Sequence, residues 1–393
     1  MNRIKVSKVA KQIRGVSYKP EDLHDMLDDN SVTLLRANNI QDGKVDFEDV
    51  LYVDKSKVSQ VQYLQRGDIL VCASSGSKSI VGKAASIDFD GEYTFGAFCK
   101  VVRPIPEMID YLGIYFQSQI YRDIISKAAM GANINNIRNE HIDNLEIPQK
   151  TLKEISSIIQ RIKLLQYIIN CRKLELQKLD ELVKARFVEM FGNPVLNDKG
   201  WKLKSLSNLT KKIGSGATPK GGKEVYQENG VAFIRSMNVY NGKFEYKELA
   251  YISDEQACKL DGVTVKEKDV LLNITGASVA RSCVVPTDIL PARVNQHVCI
   301  IRCGESIIPE FLNKILIDDN YQNFLWNIAG SGATREAITK QQVENLQIIT
   351  PPIERQGAFV EFCKQIEGLK ILMQRSLEQM KTLKKALMQQ YFG

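Results

Sequence analysis

The chain has 393 residues, and 53 basic against 46 acidic side chains give it a formal net charge of +7. With 44% hydrophobic and 25% charged residues it is composed like a globular protein, which excludes a largely disordered chain and leaves length for two or three cored domains. No run of about 18 apolar residues suggests a membrane span, the start MNRIKVSKVAKQI lacks a secretory apolar core, and eight scattered cysteines without C-x-x-C spacing read as those of a reduced, cytoplasmic protein.

The first 150 residues are almost neutral, with 19 basic and 20 acidic side chains. They open with a glycine-containing loop (GVSYKP, 15–20). The strand-like runs LLRANNI, DILVCA and FCKVV follow, then an amphipathic segment over 108–125. A polar loop, GANINNIR at 131–138, precedes a short apolar strand, LEIP at 145–148.

Residues 151–192 are of another kind. Ile155, Ile158, Ile162, Leu165, Ile169, Leu176, Leu179 and Val183 recur at alternating steps of three and four, with Arg172 interrupting. That is a coiled-coil seam rather than the broad apolar face of a globular-core helix. Thr151 and Glu154 form a capping-box pattern, and Gly192-Asn193-Pro194 is a stop. At 1.5 Å per residue the helix is roughly 60 Å long, and such a helix needs a partner.

Residues 193–350 repeat the first domain. The stretch 231–252 matches 32–53, with Arg235 at the place of Arg36, Asn238 at that of Asn39 and Gly242 at that of Gly43, each 199 residues on. The same offset pairs Gly15 with Gly214. Later the offset is 201, pairing Gly131-Ala132 with Gly332-Ala333 and Phe191-Gly192 with Phe392-Gly393. A second long helix over 353–390 carries a seam at Phe359, Phe362, Ile366, Leu369, Met373, Met380, Leu383 and Leu387, broken by Ser376. The expected fold is therefore mixed α+β. Two similar α/β domains (1–150 and 193–350) are separated by an antiparallel coiled coil of two long helices (151–192 and 351–393) in a pseudo-two-fold chain. The helical segments carry eight basic against five acidic and seven against four side chains, and 199–223 holds seven lysines and no acid. This balance suits a polyanion partner without requiring one.

GSGATREAITKQQVENLQIITPPIERQ at 330–356, and GSGATPKGG with FIRSMNV after it, resemble the specificity (S) subunit of type I restriction–modification enzymes, and the likeness extends over essentially the whole chain. The first copy departs from the pattern, with IPQKTLKEI in place of ITPPIERQG and no Thr-Pro in GVSYKP. The resemblance implies a non-catalytic subunit of a DNA adenine methyltransferase/endonuclease complex. Each target-recognition domain would read half of a bipartite, asymmetric double-stranded DNA site. The conserved spacer helices would act as a ruler and as the dock for two methyltransferase (M) subunits, with restriction (R) subunits joining. It also implies no cofactor in this chain, with S-adenosylmethionine, Mg and ATP confined to the partner subunits.

The remaining motifs agree. GNPV (192–195) and TPPI (350–353) do not fit the Asn/Asp-Pro-Pro-aromatic methyltransferase motif, and GSGATP and GSGATR lack the third glycine of GxGxxG. GSKSIVGKA (76–84) has the wrong spacing for a P-loop, and His24, His141 and His297 lack metal-site companions. Two other classes remain open: a recognition module of a single-chain-like methyltransferase/nuclease system, and a coiled-coil adaptor that binds no nucleic acid.

Base edges are read by Arg, Lys, Asn, Gln, Ser and Thr, with Arg–guanine and Asn–adenine pairs the most informative. The DNA-contact set expected in the first domain is Arg36, Asn38 and Asn39 after a strand, Ser75 and Lys78 in a polar loop, and Asn133, Asn135 and Arg138 in another. In the second it is Arg235 and Asn238, then Thr275, Ser278 and Arg281, then Thr334 and Arg335. Lys220 and Lys223 flank Gly221-Gly222 and suit phosphate contact. Arg36 and Arg235 suit a shared scaffold ion pair equally well. The asparagine loop also fits Asx-turn chemistry, and the lysine run also fits a solvated linker.

Overall fold

The apolar runs read as strands become the centres of two four-stranded sheets in each repeat. The computed structural model describes residues 2–77, 79–128, 135–330 and 336–393, with backbone only at Asn135. Lys78, Asn133, Thr334 and Arg335 lie outside the described residues. Contacts divide the chain into unit 1, residues 1–174 with 374–393, and unit 2, residues 175–373.

In unit 1 the first sheet is antiparallel, ordered Ala84–Ser86, Ile69–Cys72, Cys99–Pro104 and Ala10–Arg14. All four residues of Ile69–Cys72 are buried, which explains an apolar run without alternation. Unit 2 repeats the order as Ser282–Val284, Val270–Asn273, Val298–Cys303 and Thr210–Ser215. The second sheet shares three strands. Ser31–Leu35 lies between parallel Tyr93–Phe95 and antiparallel Leu51–Asp54; Val231–Ile234 lies likewise between Ala292–Val294 and Ala250–Ile252. The fourth strand differs. Leu23–His24 adds beside Leu51–Asp54 in unit 1, whereas Thr264–Val265 adds at the opposite edge in unit 2, beside Ala292–Val294.

One sequence pairing is corrected. A Cβ on Gly15 would lie 2.1 Å from the Gly96 carbonyl oxygen, and one on Gly216 2.1 Å from that of Val294, while Gly214 faces open space. Gly216 is thus the counterpart of Gly15. A register shift between Thr210 and Lys212 inserts one residue, so the offset is 200 at Ala10 and Thr210 but 201 from Lys11 and Lys212 to the two glycines.

Each unit is also pinned by an ion pair the sequence did not reveal. Arg103 donates from Nε (2.7 Å) and Nη2 (2.8 Å) to the two carboxylate oxygens of buried Asp68. Arg302 does the same to buried Asp269, at 2.8 Å for both. None of the eight cysteines is in a disulfide, and burial pushes the Cys72 thiol up to about 11 and those of Cys283 and Cys299 to about 12.

The long helices run over Leu152–Phe191 and Ile353–Phe392. The capping box forms: Thr151 N–H and Oγ1 donate to Glu154 Oε2 at 2.9 and 2.8 Å. Those bonds, the backbone one first, hold the Glu154 carboxyl below its usual range. Gly192, at φ +75°, ends the first helix. Neither helix is apolar enough to cross a membrane.

The seam of the first helix is as read: Ile155, Ile162 and Ile169 are buried, Leu176 and Leu179 half-buried. That of the second is shifted in two places. Ile366 is buried and Met373 and Met380 are half-buried, but Leu369 and Leu383 are 47% and 51% exposed. The strict four-three alternation runs through Ile366, Lys370, Met373, Leu377, Met380, Lys384 and Leu387, so two lysines hold the places expected of leucines. Their stems lie along the seam and their ammonium groups reach its edge: Lys370 Nζ meets Asp180 at 2.9 Å, and Lys384 Nζ donates to Gln166 Oε1.

The pairing is antiparallel within each unit. In unit 1 Ile155, Ile158 and Ile162 share a core with Met388 and Phe392 from the end of the second helix, closing on Tyr111, Leu112 and Tyr115. In unit 2 Phe187 and Phe191, from the end of the first helix, share one with Phe359, Val360, Phe311 and Leu312.

Candidate nucleic-acid interface

In each unit the central strand of the first sheet ends in a polar turn that backbone hydrogen bonds tie to two others. In unit 1, Ala73 N–H donates to the Phe98 carbonyl (2.8 Å) and the Ala73 carbonyl accepts from Ile137 N–H (2.8 Å). Ser74–Ser75 then pairs with Asn135–Asn136. In unit 2, Ile274 N–H donates to His297 (2.9 Å), Ile338 N–H donates back to Ile274 (2.8 Å), and Thr275 bridges to Ala337. The backbone frame is the same twice over.

The turn after the neighbouring sheet's central strand joins this cluster. In unit 1 it lines a cleft of about 360 Å³ with Tyr18, Arg36, Asn38, Asp49, Ser74 and Phe98 at its wall. In unit 2 Asn273 Nδ2 donates to the Ser236 carbonyl (2.8 Å) and to Ser278 Oγ (3.2 Å). Arg36 and Asn38 are thus brought together with the loops of Ser75 and Asn135, and Arg235 with those of Thr275, Ser278 and Arg281. Lys220 and Lys223 are exposed beside a separate turn, Gly222–Val225, where Gly221 and Gly222 have φ of +97° and +58°. Among the described residues no hydrogen bond ties them to the cluster.

Several predicted contacts turn out to be internal. Asn39 and Asn238 are 1% and 0% exposed. Their Oδ1 atoms accept the backbone N–H groups of Arg36 (2.8 Å) and Arg235 (3.0 Å), and their Nδ2 atoms donate to the carbonyls of Asp46 (2.8 Å) and Glu245 (2.9 Å). They hold the turn and cannot reach a ligand. Arg36 and Arg235 also bond within the chain: Arg36 Nη2 lies 2.9 Å from Asp49 Oδ1, while Arg235 donates to the Glu248 carbonyl and sits 5.6 Å from the Tyr226 ring centre.

Other side chains face outward. Asn38 is exposed, donating to Asp49 Oδ2 at 2.7 Å, and Arg138 is exposed with Glu140 3.4 Å away. Arg281 lies 4.5 Å over the Tyr240 ring, and Thr275 Oγ1 is 2.6 Å from His297 Nδ1. Phe98 is not among the contacts expected from the sequence, yet it stands 71% exposed beside these polar groups. The signal that could have found it is the repeat itself, because an offset of 199 sets Phe98 against His297, an unlike pair between matched strands.

Residues 198–382 match the type I restriction modification DNA specificity domain. The specificity subunit of type I restriction enzyme StySPI from Salmonella potsdam is 29% identical over 378 residues, covering 92% of this chain and 81% of that protein. That of EcoKI from Escherichia coli K12 is 26% identical over 384 residues, with the same coverages. Over most of its length the chain is similar to type I specificity subunits. Solved specificity-subunit folds agree with it. A chain from a structure of type I restriction–modification complex assembly aligns at TM-score 0.65 and 16% identity, covering 100% of this chain and 97% of that one. The S subunit from M. genitalium aligns at 0.56 and 11%, covering 100% and 96%. The turns built twice with unlike side chains are therefore part of a specificity-subunit fold.

Proposed function

We propose that this chain is the DNA-reading and assembly subunit of a type I restriction–modification complex, with units 1 and 2 each reading one half of a bipartite, asymmetric site. The observation that carries the reading is the duplicated frame with unlike side chains upon it: Phe98 against His297, Ser74 against Thr275, Asn38 against Met237. Apolar side chains sense the thymine methyl, and hydroxyl and amide groups sense donors and acceptors. Two copies that differ at these places would read different bases from one geometry.

The chain itself is non-catalytic in this reading. Adenine methylation belongs to two M subunits and cleavage to R subunits, which would carry S-adenosylmethionine, Mg and ATP, and the complex is cytoplasmic. Seats for the M subunits are suggested by apolar side chains left exposed on the long helices: Leu164, Tyr167 and Leu174 in unit 1, Leu182, Leu369 and Leu372 in unit 2.

Exchanging residues 1–150 for the first domain of another specificity subunit should change one half-site only, as read by the methylation pattern of a host expressing the chain with its M partner. A change in both halves contradicts modular reading, and methyl transfer by the purified chain alone contradicts a non-catalytic role. Within unit 1, Phe98→Ala should cost about 1–3 kcal/mol of discrimination at a single base pair, measured as relative binding of sites varied one position at a time. Equal weakening on every sequence would make Phe98 a general contact instead.

A further inference from the structure

Unit 1 holds a second cleft, of about 590 Å³, within the range of small-ligand sites. Cations reach it from separate elements: Lys44 from a hairpin, Lys83 from the edge of the first sheet, Lys173 from the first long helix and Lys384 from the second. Arg122 adds a fifth, and the carboxylates lining the cleft are Asp42 and Asp88. Among the described residues none of the four lysines has a carboxylate within ion-pair distance. Other lysines on the same helices do: Lys163 meets Asp110 at 2.7 Å, and Lys381 meets Glu378 at 2.7 Å. Burial and then the like charge of Lys173 push the Lys384 ammonium below its usual range.

The repeat shows that the scaffold does not need all of these charges. The counterpart of Lys384 in unit 2 is Val183. Arg122 donates to the Val81 carbonyl (2.6 Å), and its counterpart Gln322 holds the Ala280 carbonyl (2.8 Å) with a neutral amide. Lys44 has Lys243 as its counterpart, and Lys243 has Glu245 3.4 Å away. Lys83 has Arg281 as its counterpart, 4.5 Å over the Tyr240 ring, so the charge peculiar to unit 1 is that of Arg122, Lys384 and, with Gln374 as its counterpart at the offset of 201, Lys173.

We propose that this cleft binds a phosphate group, carried either by a free anion of pyrophosphate size or by the DNA backbone. Point charges converging from several directions suit a multiply charged anion better than a lone carboxylate, which would leave most of them unmatched. The DNA alternative rests on the reading function proposed above, and the free-anion alternative does not.

The test compares the full chain with Lys83→Gln/Lys173→Gln; Lys44→Gln/Lys173→Gln guards against a folding defect peculiar to position 83. Calorimetric titration with sodium pyrophosphate should show saturable one-to-one binding, weakened at least tenfold in both variants, if the ligand is free. If it is the backbone, pyrophosphate does not bind. The complex with the M partner then loses DNA affinity on every sequence, and the slope of log K against log salt falls by about one to two. Neither response, or a variant effect confined to one base pair, overturns the proposal. Failure of the wild-type complex to bind DNA at all would sink the reading function while the pyrophosphate titration still decides the cleft.

Discussion

Asp269→Ala is expected to destabilise unit 2 by about 3–5 kcal/mol, because removing one partner of a buried pair leaves the other charge uncompensated. Asp269 is 0% exposed, accepts two bonds from Arg302, and takes a third from the Lys266 N–H (2.7 Å) that holds the turn before its strand. Arg302 cannot swing free, since its Nη2 also donates to the Thr264 carbonyl (3.2 Å) on the neighbouring sheet. The chain's two tryptophans, Trp201 and Trp326, both belong to unit 2, so the fluorescence transition in urea should carry the change. The twin substitution Asp68→Ala belongs to unit 1 and should appear in total circular dichroism instead. Asp269→Leu combined with Arg302→Met should recover much of the loss, as apolar replacements of buried pairs do. A loss below 1 kcal/mol in the single variant would mean that water reaches the pair and that it acts like a surface bridge.

The features that could be read from the chain are those whose signal is local or repeated. The seam from Ile155 to Val183 is a sequence periodicity, and Thr151 with Glu154 is a four-residue pattern, so both appear as expected. Apolar character favours Leu369 and Leu383 for the second seam, whereas strict alternation favours Lys370 and Lys384. The repeat offset of 201, which sets Ile169 against Lys370 and Val183 against Lys384, points to the observed seam. Asp68 and Arg103 are 35 residues apart and nothing local marks them as partners; only the fold brings the strands together. An asparagine after a strand suits both base contact and turn capping, so local sequence does not separate the two roles for Asn39 and Asn238. Their burial decides for capping. Phe98 has no polar side chain to mark it, and only its exposure in the fold sets it apart.

The second large effect is expected at the helix ends. Phe392 is fully buried in unit 1, 5.0 Å from the Tyr111 ring and 5.5 Å from that of Tyr115, and the Arg3 guanidinium donates to the Gly393 carbonyl beside it. Its counterpart Phe191 is fully buried in unit 2, 4.9 Å from Phe311 and 5.5 Å from Phe359, with Trp201 Nε1 donating to its carbonyl at 3.0 Å. Each substitution to alanine should cost about 3–5 kcal/mol. Phe191→Ala should also shift the emission of Trp201, whereas Phe392→Ala should leave that emission unchanged while lowering the stability of unit 1. Phe→Leu at either place keeps most of the volume and should cost markedly less. If Phe392→Ala proves nearly neutral, the end of the second helix is not part of the unit 1 core. If it is costly, neither repeat can complete its core from its own residues: the first domain needs the last turn of the second helix, and the second domain needs the last turn of the first. A duplicated chain built this way ties the integrity of each proposed half-site reader to both helices.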